Sequence, residues 1–191
     1  MTSTGRDEAH PDDFPWPPTR RWVEPLAGRI ECLMTDVDGV LTDGSLTYDS
    51  AGVETKTFHA RDGLAMKRWT SLGLPLVIVT ARQSEMVGRR GQELGVTRVL
   101  QGFEAKWPAV QEVLRDLQVD ASRCAYVGDD IPDVPVLKRV GLAAVPADAS
   151  FDARRASTGT LMTAGGRGVL RELIEVLLRL RGQWHDAESD R

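Results

Sequence analysis

The chain has 191 residues, 41% hydrophobic and 27% charged, with a formal net charge of −4. That length suits one domain with a full core, and the composition is ordinary globular usage. The mildly acidic balance gives no support for nucleic-acid binding. No segment approaches the ~20 apolar residues of a membrane helix, and the first residues lack the charged-then-apolar pattern of a secretory signal. Cys32 and Cys124 both fall in apolar, strand-like runs. They read as buried thiols of a reducing compartment, so the expected location is the cytoplasm.

Residues 1–27 are polar, then crowded with Pro11, Pro15, Pro17, Pro18 and Pro25. Pro17-Pro18 cannot enter a helix interior. This extension is expected to be disordered or loosely packed, with Trp16 and Trp22 pinned to a body spanning 28–183. Ile30 to Thr35 reads as the first strand. Residues 45–58 alternate around the turn Asp49-Ser50-Ala51-Gly52, which predicts a β-hairpin. Such a hairpin is marginal alone and should pack on something, such as another subunit. Leu64 to Leu72 reads as a helix stopped by Gly73. Leu74 to Thr80 lacks alternation, as in a parallel strand buried on both faces. Ser84 is placed to cap a helix running to Leu94.

Val96 to Leu100 predicts a short strand, and Lys106 opens a helix through Leu117 with Pro108 in its first turn. Cys124 to Val127 is the fourth strand, followed by a short helix to Val140. Gly141 to Val145 gives a fifth strand and Gly159 to Met162 a sixth. Leu170, Leu173, Ile174, Leu177 and Leu178 mark an amphipathic helix over Val169 to Arg181, and 184–191 form a polar tail. Strands alternating with helices predict an α/β fold: a doubly wound, Rossmann-like parallel sheet with helices on both faces.

Chemistry gathers at the element ends. Asp36 and Asp38 follow the first strand, Thr80 ends the next, Lys106 opens a helix, and Asp129, Asp130 and Asp133 follow the fourth strand. In a parallel sheet these ends converge on one rim. Paired carboxylates repel unless a cation lies between them. Carboxylates, water and phosphate oxygens suit Mg²⁺, a hydroxyl and an ammonium beside it match a phosphoryl group, and a carboxylate can attack phosphorus. A lysine at a helix start opposes the helix dipole, which itself argues for a functional placement.

In these four signatures, Asp36-Val37-Asp38-Gly39-Val40, Thr80, Lys106 and Gly128-Asp129-Asp130-x-x-Asp133, the chain resembles the haloacid dehalogenase superfamily of phosphotransferases. Asp36 to Gly44, the hairpin, Phe58-x-x-Arg61-Asp62-Gly63, Tyr126 to Asp130, Val140-Gly-Leu and Gly165-Gly-Arg-Gly168 narrow the resemblance. Together they are similar to its capless sugar-acid phosphatases, which act on 3-deoxy-D-manno-octulosonate 8-phosphate. The likeness covers about residues 28–183.

The resemblance implies a Mg²⁺-dependent phosphatase of lipopolysaccharide sugar synthesis, working through an aspartyl phosphate. It implies Asp36 as nucleophile, and Asp38 as general acid and then base. Asp36, the Asp38 main-chain carbonyl and Asp129 would hold the metal, supported by Asp130 and Asp133. Thr80 and Lys106 would engage the phosphoryl oxygens. Substrate-contact positions fall on Asp38, His59, Ala60, Arg61, Asp62, Gly63, Lys67, Arg82, Arg90 and Lys106, with Arg167 as a lid residue. Arg61 and Arg82 are the preferred carboxylate binders. Lys67 stands where the family usually has Arg, and Ala81 where it usually has Gly. The family also implies a homotetramer with hairpins in a central barrel, active sites at subunit interfaces, and the C-terminal segment of one subunit closing another's site.

Other readings remain open at this point. They are a nonulosonate 9-phosphate phosphatase of the same subfamily, a catalytically silent scaffold docking through the proline-rich tail, and a phosphoaccepting receiver domain. The Asp-x-Asp arrangement and the hairpin fit the last poorly, and a scaffold need not keep the acidic set.

Overall fold

The structure, a computed structural model, describes residues 15–184. Among the described residues eight strands are formed: β1 (Cys32–Thr35), β2 (Thr47–Tyr48), β3 (Glu54–Thr55), β4 (Leu76–Thr80), β5 (Arg98–Gln101), β6 (Cys124–Val127), β7 (Leu142–Val145) and β8 (Gly159–Thr160). The helices are α1 (Arg20–Ala27), α2 (Ala60–Ser71), α3 (Glu85–Glu93), α4 (Lys106–Asp116), α5 (Val134–Leu137), α6 (Phe151–Ala156) and α7 (Val169–Leu180). Six strands form one sheet in the order β5-β4-β1-β6-β7-β8, and every pairing is parallel. The antiparallel pair β2-β3 stands apart as the expected hairpin.

The sheet is buried on both faces, which explains why β1, β4 and β6 carry continuous apolar runs. Leu33, Ile78 and Val127 join one core with Met66 and Trp69 of α2 and Leu173 and Leu177 of α7. Met34, Val77 and Tyr126 join a second core with Val110 and Val113 of α4 and Val136 of α5. The chain moves outward from β1 in one direction through β4 and β5, then crosses to β6 and continues to β8. The C-terminal end of β1 is therefore the switch point, where a crevice opens between diverging connections. Cys32 and Cys124 pair across β1 and β6 as buried free thiols, as the sequence suggested.

Three expectations change. The extension is not loose as far as residue 27. Arg20–Ala27 is helical despite Pro25, because Val23 and Ala27 bury against the core beside Trp22 and Leu26. Arg181 answers the open helix end by donating to the Ala27 carbonyl at 2.7 and 2.8 Å. Residues 1–14 of that extension, and the tail beyond 184, lie outside the described residues. Second, α2 begins at Ala60, earlier than expected, because His59 Nδ1 accepts from the Arg61 amide at 3.3 Å. Third, Ser84 occupies the N-cap of α3 without capping it, and its own amide is taken by Gln101 Oε1 at 2.6 Å.

Glu172 ties the α1 and α7 corner together. It accepts from the amides of Met162 and Thr163 at 3.0 and 2.9 Å, from Thr163 Oγ1 at 2.6 Å, and from the Thr19 hydroxyl. Glu172→Ala strands these donors, Thr19 being buried. Urea denaturation should show a loss of about 2–3 kcal/mol, and a change under half of that would mean water replaces the carboxylate.

Candidate active site

Asp36 follows β1 directly, and its amide donates to the Val127 carbonyl of β6 at 2.9 Å. That bond locks the two acidic loops in register. Lys106, the first residue of α4, is 2% exposed and reaches both loops, with Nζ 2.9 Å from Asp36 Oδ2 and 2.6 Å from Asp133 Oδ1. Burial works against its charge. The carboxylates of Asp36 and Asp133 outweigh burial and push its pKa up. The unfavourable placement at a helix start is thus offset by two buried partners.

Asp133 is 0% exposed, and both its oxygens are occupied. Oδ1 takes Lys106 and the Tyr126 hydroxyl at 2.5 Å, and Oδ2 takes the amides of Asp129 and Asp130 at 3.0 and 3.2 Å. Ligand atoms of Asp36, Asp129 and Asp133 lie within 4.8 Å of one another. Because Asp133 already accepts four hydrogen bonds, it serves better as the brace of the turn than as a ligand. Asp36 and Asp129 keep oxygens free for a cation. Asp130 is exposed and accepts from the Ile131 amide at 2.8 Å, so its part is to cap the turn that presents Asp129.

The uncompensated charge shows in the acidities. Burial, then Asp133, raise the Asp36 carboxyl to about 7, with Lys106 only partly opposing. Burial, Asp36 and Asp133 raise Asp129 to about 8. Carboxylates crowded this way with one ammonium leave room for a divalent cation of oxygen preference. Gly39 makes the approach possible. Its φ is +86°, and a Cβ there would fall 2.1 Å from Asp129 Oδ2.

Thr80 ends β4 buried, and its hydroxyl accepts from the Arg82 amide at 3.3 Å. Ala81 does not need the positive φ that would favour glycine. Among the described residues Gln118 is the non-glycine residue with that conformation. The methyl is therefore tolerated without backbone strain.

Asp38 is not part of the Asp36, Asp129 and Asp133 grouping, and its charged partners are cations. One oxygen, Oδ1, takes the Lys56 ammonium of the hairpin and lies 3.4 Å from the Thr42 hydroxyl. The other lies 3.8 Å from Arg82 Nε. Arg82 also binds Glu54 at 3.0 Å and the Tyr48 hydroxyl at 3.2 Å. The sequence alone assigned no role in the site to Lys56, Glu54, Tyr48 or Tyr126. The signal was present for two of them. Period-2 alternation puts Glu54 and Lys56 on the face that carries Phe58.

The remaining substrate-contact positions divide. Arg90 stacks on Phe58 at 5.9 Å and, with Lys56 and Ala60, lines a cavity of about 400 Å³ beside the hairpin. Arg61 and Lys67 are exposed on α2. Asp62 is turned inward, where Oδ1 accepts the Arg171 amide at 2.8 Å in the first turn of α7. His59 packs on Gly168 just before that turn. Asp62 thus holds the first turn of α7, Gly63 abuts the Arg90 guanidinium, and His59, Asp62 and Gly63 line a small cavity with Phe58 and Arg90 beside the hairpin. Gly165 presses on the catalytic loop so closely that a Cβ would lie 2.0 Å from the Gly39 carbonyl oxygen. Arg167, 70% exposed, stands 3.9 Å from Asp43 at the mouth.

A carboxylate at a strand end, an adjoining acidic loop, a hydroxyl and a buried lysine on a doubly wound sheet define a phosphoryl-transfer hydrolase. Comparison with known proteins agrees. The haloacid dehalogenase-like hydrolase family matches residues 56–141. A 3-deoxy-D-manno-octulosonate 8-phosphate phosphatase of Haemophilus influenzae is 36% identical over 154 residues, covering 81% of this chain and 86% of the relative. That of Escherichia coli is 36% identical over 163 residues, covering 85% and 87%. The crystal structure of the Moraxella catarrhalis phosphatase of that name, in complex with magnesium ion, phosphate ion and KDO, superposes with a TM-score of 0.81. It has 35% identity over 83% of this chain and 91% of that one. The chain belongs to the 3-deoxy-D-manno-octulosonate 8-phosphate phosphatase family of haloacid dehalogenase-like hydrolases, and it is a phosphatase of phosphoric monoesters.

Proposed function

We propose that the protein hydrolyses 3-deoxy-D-manno-octulosonate 8-phosphate to the free sugar acid and phosphate, in the cytoplasm, as a step of lipopolysaccharide sugar synthesis. The Lys106 bridge between Asp36 and Asp133 carries this reading, because it leaves Asp36 and Asp129 with oxygens that would hold a cation beside a phosphoryl group. Asp36, Asp129 and the Asp38 main-chain carbonyl would hold Mg²⁺. Held there, the ion would supply charge neutralisation at the phosphoryl oxygens.

Asp36 attacks phosphorus, the bond from phosphorus to the sugar oxygen breaks, and Asp38 gives that oxygen its proton. Thr80 and Lys106 hold the phosphoryl oxygens, the hydroxyl by hydrogen bonding and the ammonium by charge. Asp38 then takes a proton from water as the water attacks the aspartyl phosphate, which releases phosphate and regenerates Asp36. Arg82 and Arg90 are the cations best placed for the sugar-acid carboxylate, and Arg61, Lys67 and Arg167 would contribute from the outer face.

The test is phosphate release from a panel of sugar-acid phosphates, with and without Mg²⁺. The eight-carbon 8-phosphate should have the highest kcat/KM, and only with metal. A higher value on a nine-carbon 9-phosphate would favour the nonulosonate alternative, and no turnover would leave the scaffold reading. Assembly belongs to the same proposal. Leu46, Tyr48 and Val53 leave the hairpin about half exposed, at 48, 53 and 57%, which suits burial in a homotetramer with sites at its interfaces. Light scattering should give four chains, and a mass of one chain would reject a shared site.

A further inference from the structure

We infer that Lys56, on the hairpin, is the positioning residue that aims the Asp38 carboxylate at the leaving group. The inference rests on the proposed mechanism, in which Asp38 carries the proton.

Most of the hairpin is exposed, yet the Lys56 side chain is only 2% exposed. A buried ammonium is costly unless paired. Lys56 is paired twice, to Asp38 Oδ1 and to Glu54 at 3.3 Å. Thr42 shares the Asp38 oxygen that Lys56 holds. The second oxygen, Oδ2, lies 3.8 Å from Arg82 Nε, beyond hydrogen-bond reach, and is not pinned in the same way. A carboxylate pinned through one oxygen has its other oxygen oriented. That is the requirement for proton delivery to one defined atom.

The neighbouring contacts indicate a lever rather than a simple tether. Arg82, from the turn after β4, binds the same Glu54 that Lys56 binds. Hairpin and sheet thus meet through four alternating charges, Asp38, Lys56, Glu54 and Arg82. Arg82 at 40% side-chain exposure is the accessible member, and Lys56 is the sequestered one. An anionic substrate can recruit Arg82 while Lys56 keeps Asp38 in place. Lys56 also lines the cavity of about 400 Å³ with Phe58 and Arg90, so the part that aims Asp38 forms a wall of the space beside it. A two-stranded hairpin has little stability of its own, so Lys56 links its docking to the geometry of the acid.

The experiment compares two esters with Lys56→Met, Lys56→Arg and Asp38→Asn, each as the full chain with Mg²⁺. One ester is the best alkyl phosphate of the panel, whose alkoxide needs a proton to leave. The other is 4-nitrophenyl phosphate, whose phenolate leaves without one. Lys56→Met should lower the single-turnover rate of leaving-group release, the step before the shared attack of water, roughly 10- to 100-fold on the alkyl ester, with a several-fold smaller loss on the aryl ester. Lys56→Arg should recover most of the alkyl activity. Equal losses on both esters, or an effect confined to KM, would mean that Lys56 only anchors the hairpin and would overturn the inference. Asp38→Asn separates the two levels. If it discriminates between the esters and Lys56→Met does not, the inference alone fails. If Asp38→Asn does not discriminate, the role of Asp38 fails and the inference with it. Should Lys56→Met not fold, Lys56→Gln, which retains a hydrogen-bonding end, takes its place.

Discussion

Asp36→Asn is expected to abolish turnover while leaving the fold intact. The amide has the size of the carboxylate and can still accept from Lys106, which reaches Oδ2 at 2.9 Å in the wild type. It cannot form the acyl phosphate. Loss of a covalent nucleophile shows as roughly four or more orders of magnitude in kcat. The substitution also removes one of the charges crowded near Asp129 and Asp133, so metal-free stability should hold or rise. Steady-state phosphate release alongside thermal unfolding checks both. Activity within tenfold of wild type would exclude Asp36 as nucleophile.

The second large effect is the dependence of metal-free stability on pH. Asp36 and Asp129 hold their protons to about 7 and about 8 in the fold, against 3.8 in the unfolded chain. Between those limits the native state binds more protons than the unfolded state. Stability therefore falls as pH rises. It is fully present below the unfolded value and is lost through the folded ones. Each unit of pKa difference between the folded and unfolded chain corresponds to about 1.4 kcal/mol, so Tm of the metal-free protein should drop by roughly 10 °C or more between pH 5 and pH 9. Mg²⁺ takes the place of the protons, so its stabilisation should be small at pH 5 and large at pH 8. Asp129→Asn should flatten the slope and erase most of the Mg²⁺ effect. A metal-free Tm that climbs from pH 5 to 8, or a Mg²⁺ stabilisation independent of pH, would contradict this electrostatic picture.

The parts of the fold legible in the sequence are those set by local rules. Apolar runs marked β1, β4 and β6, and the stripe Leu170 to Leu178 marked α7. The site was legible because a parallel sheet gathers Asp36, Thr80, Lys106 and Asp129 whatever the loops do. What stayed hidden depends on distant partners. Arg20–Ala27 has a poor helical signal with Pro25 inside, and only packing on α7 and the Arg181 bonds reveal why it forms. Asp62 sits in a motif that points to substrate, yet its oxygen accepts an amide 109 positions away. Lys56 reads as one more exposed hairpin charge until Asp38 is seen beside it. Asp133 was legible as a carboxylate near the metal. Its four hydrogen bonds, which make it a brace, were not.

The central claim is that Asp36 becomes phosphorylated during turnover. Mixing Mg²⁺-loaded enzyme with the best phosphate ester, quenching in acid and reducing with hydride would convert an aspartyl phosphate to homoserine. Peptide mass spectrometry should then find homoserine at position 36, none at Asp38 or Asp129, and none anywhere in Asp36→Asn. Unmodified Asp36 throughout rapid turnover would contradict the account.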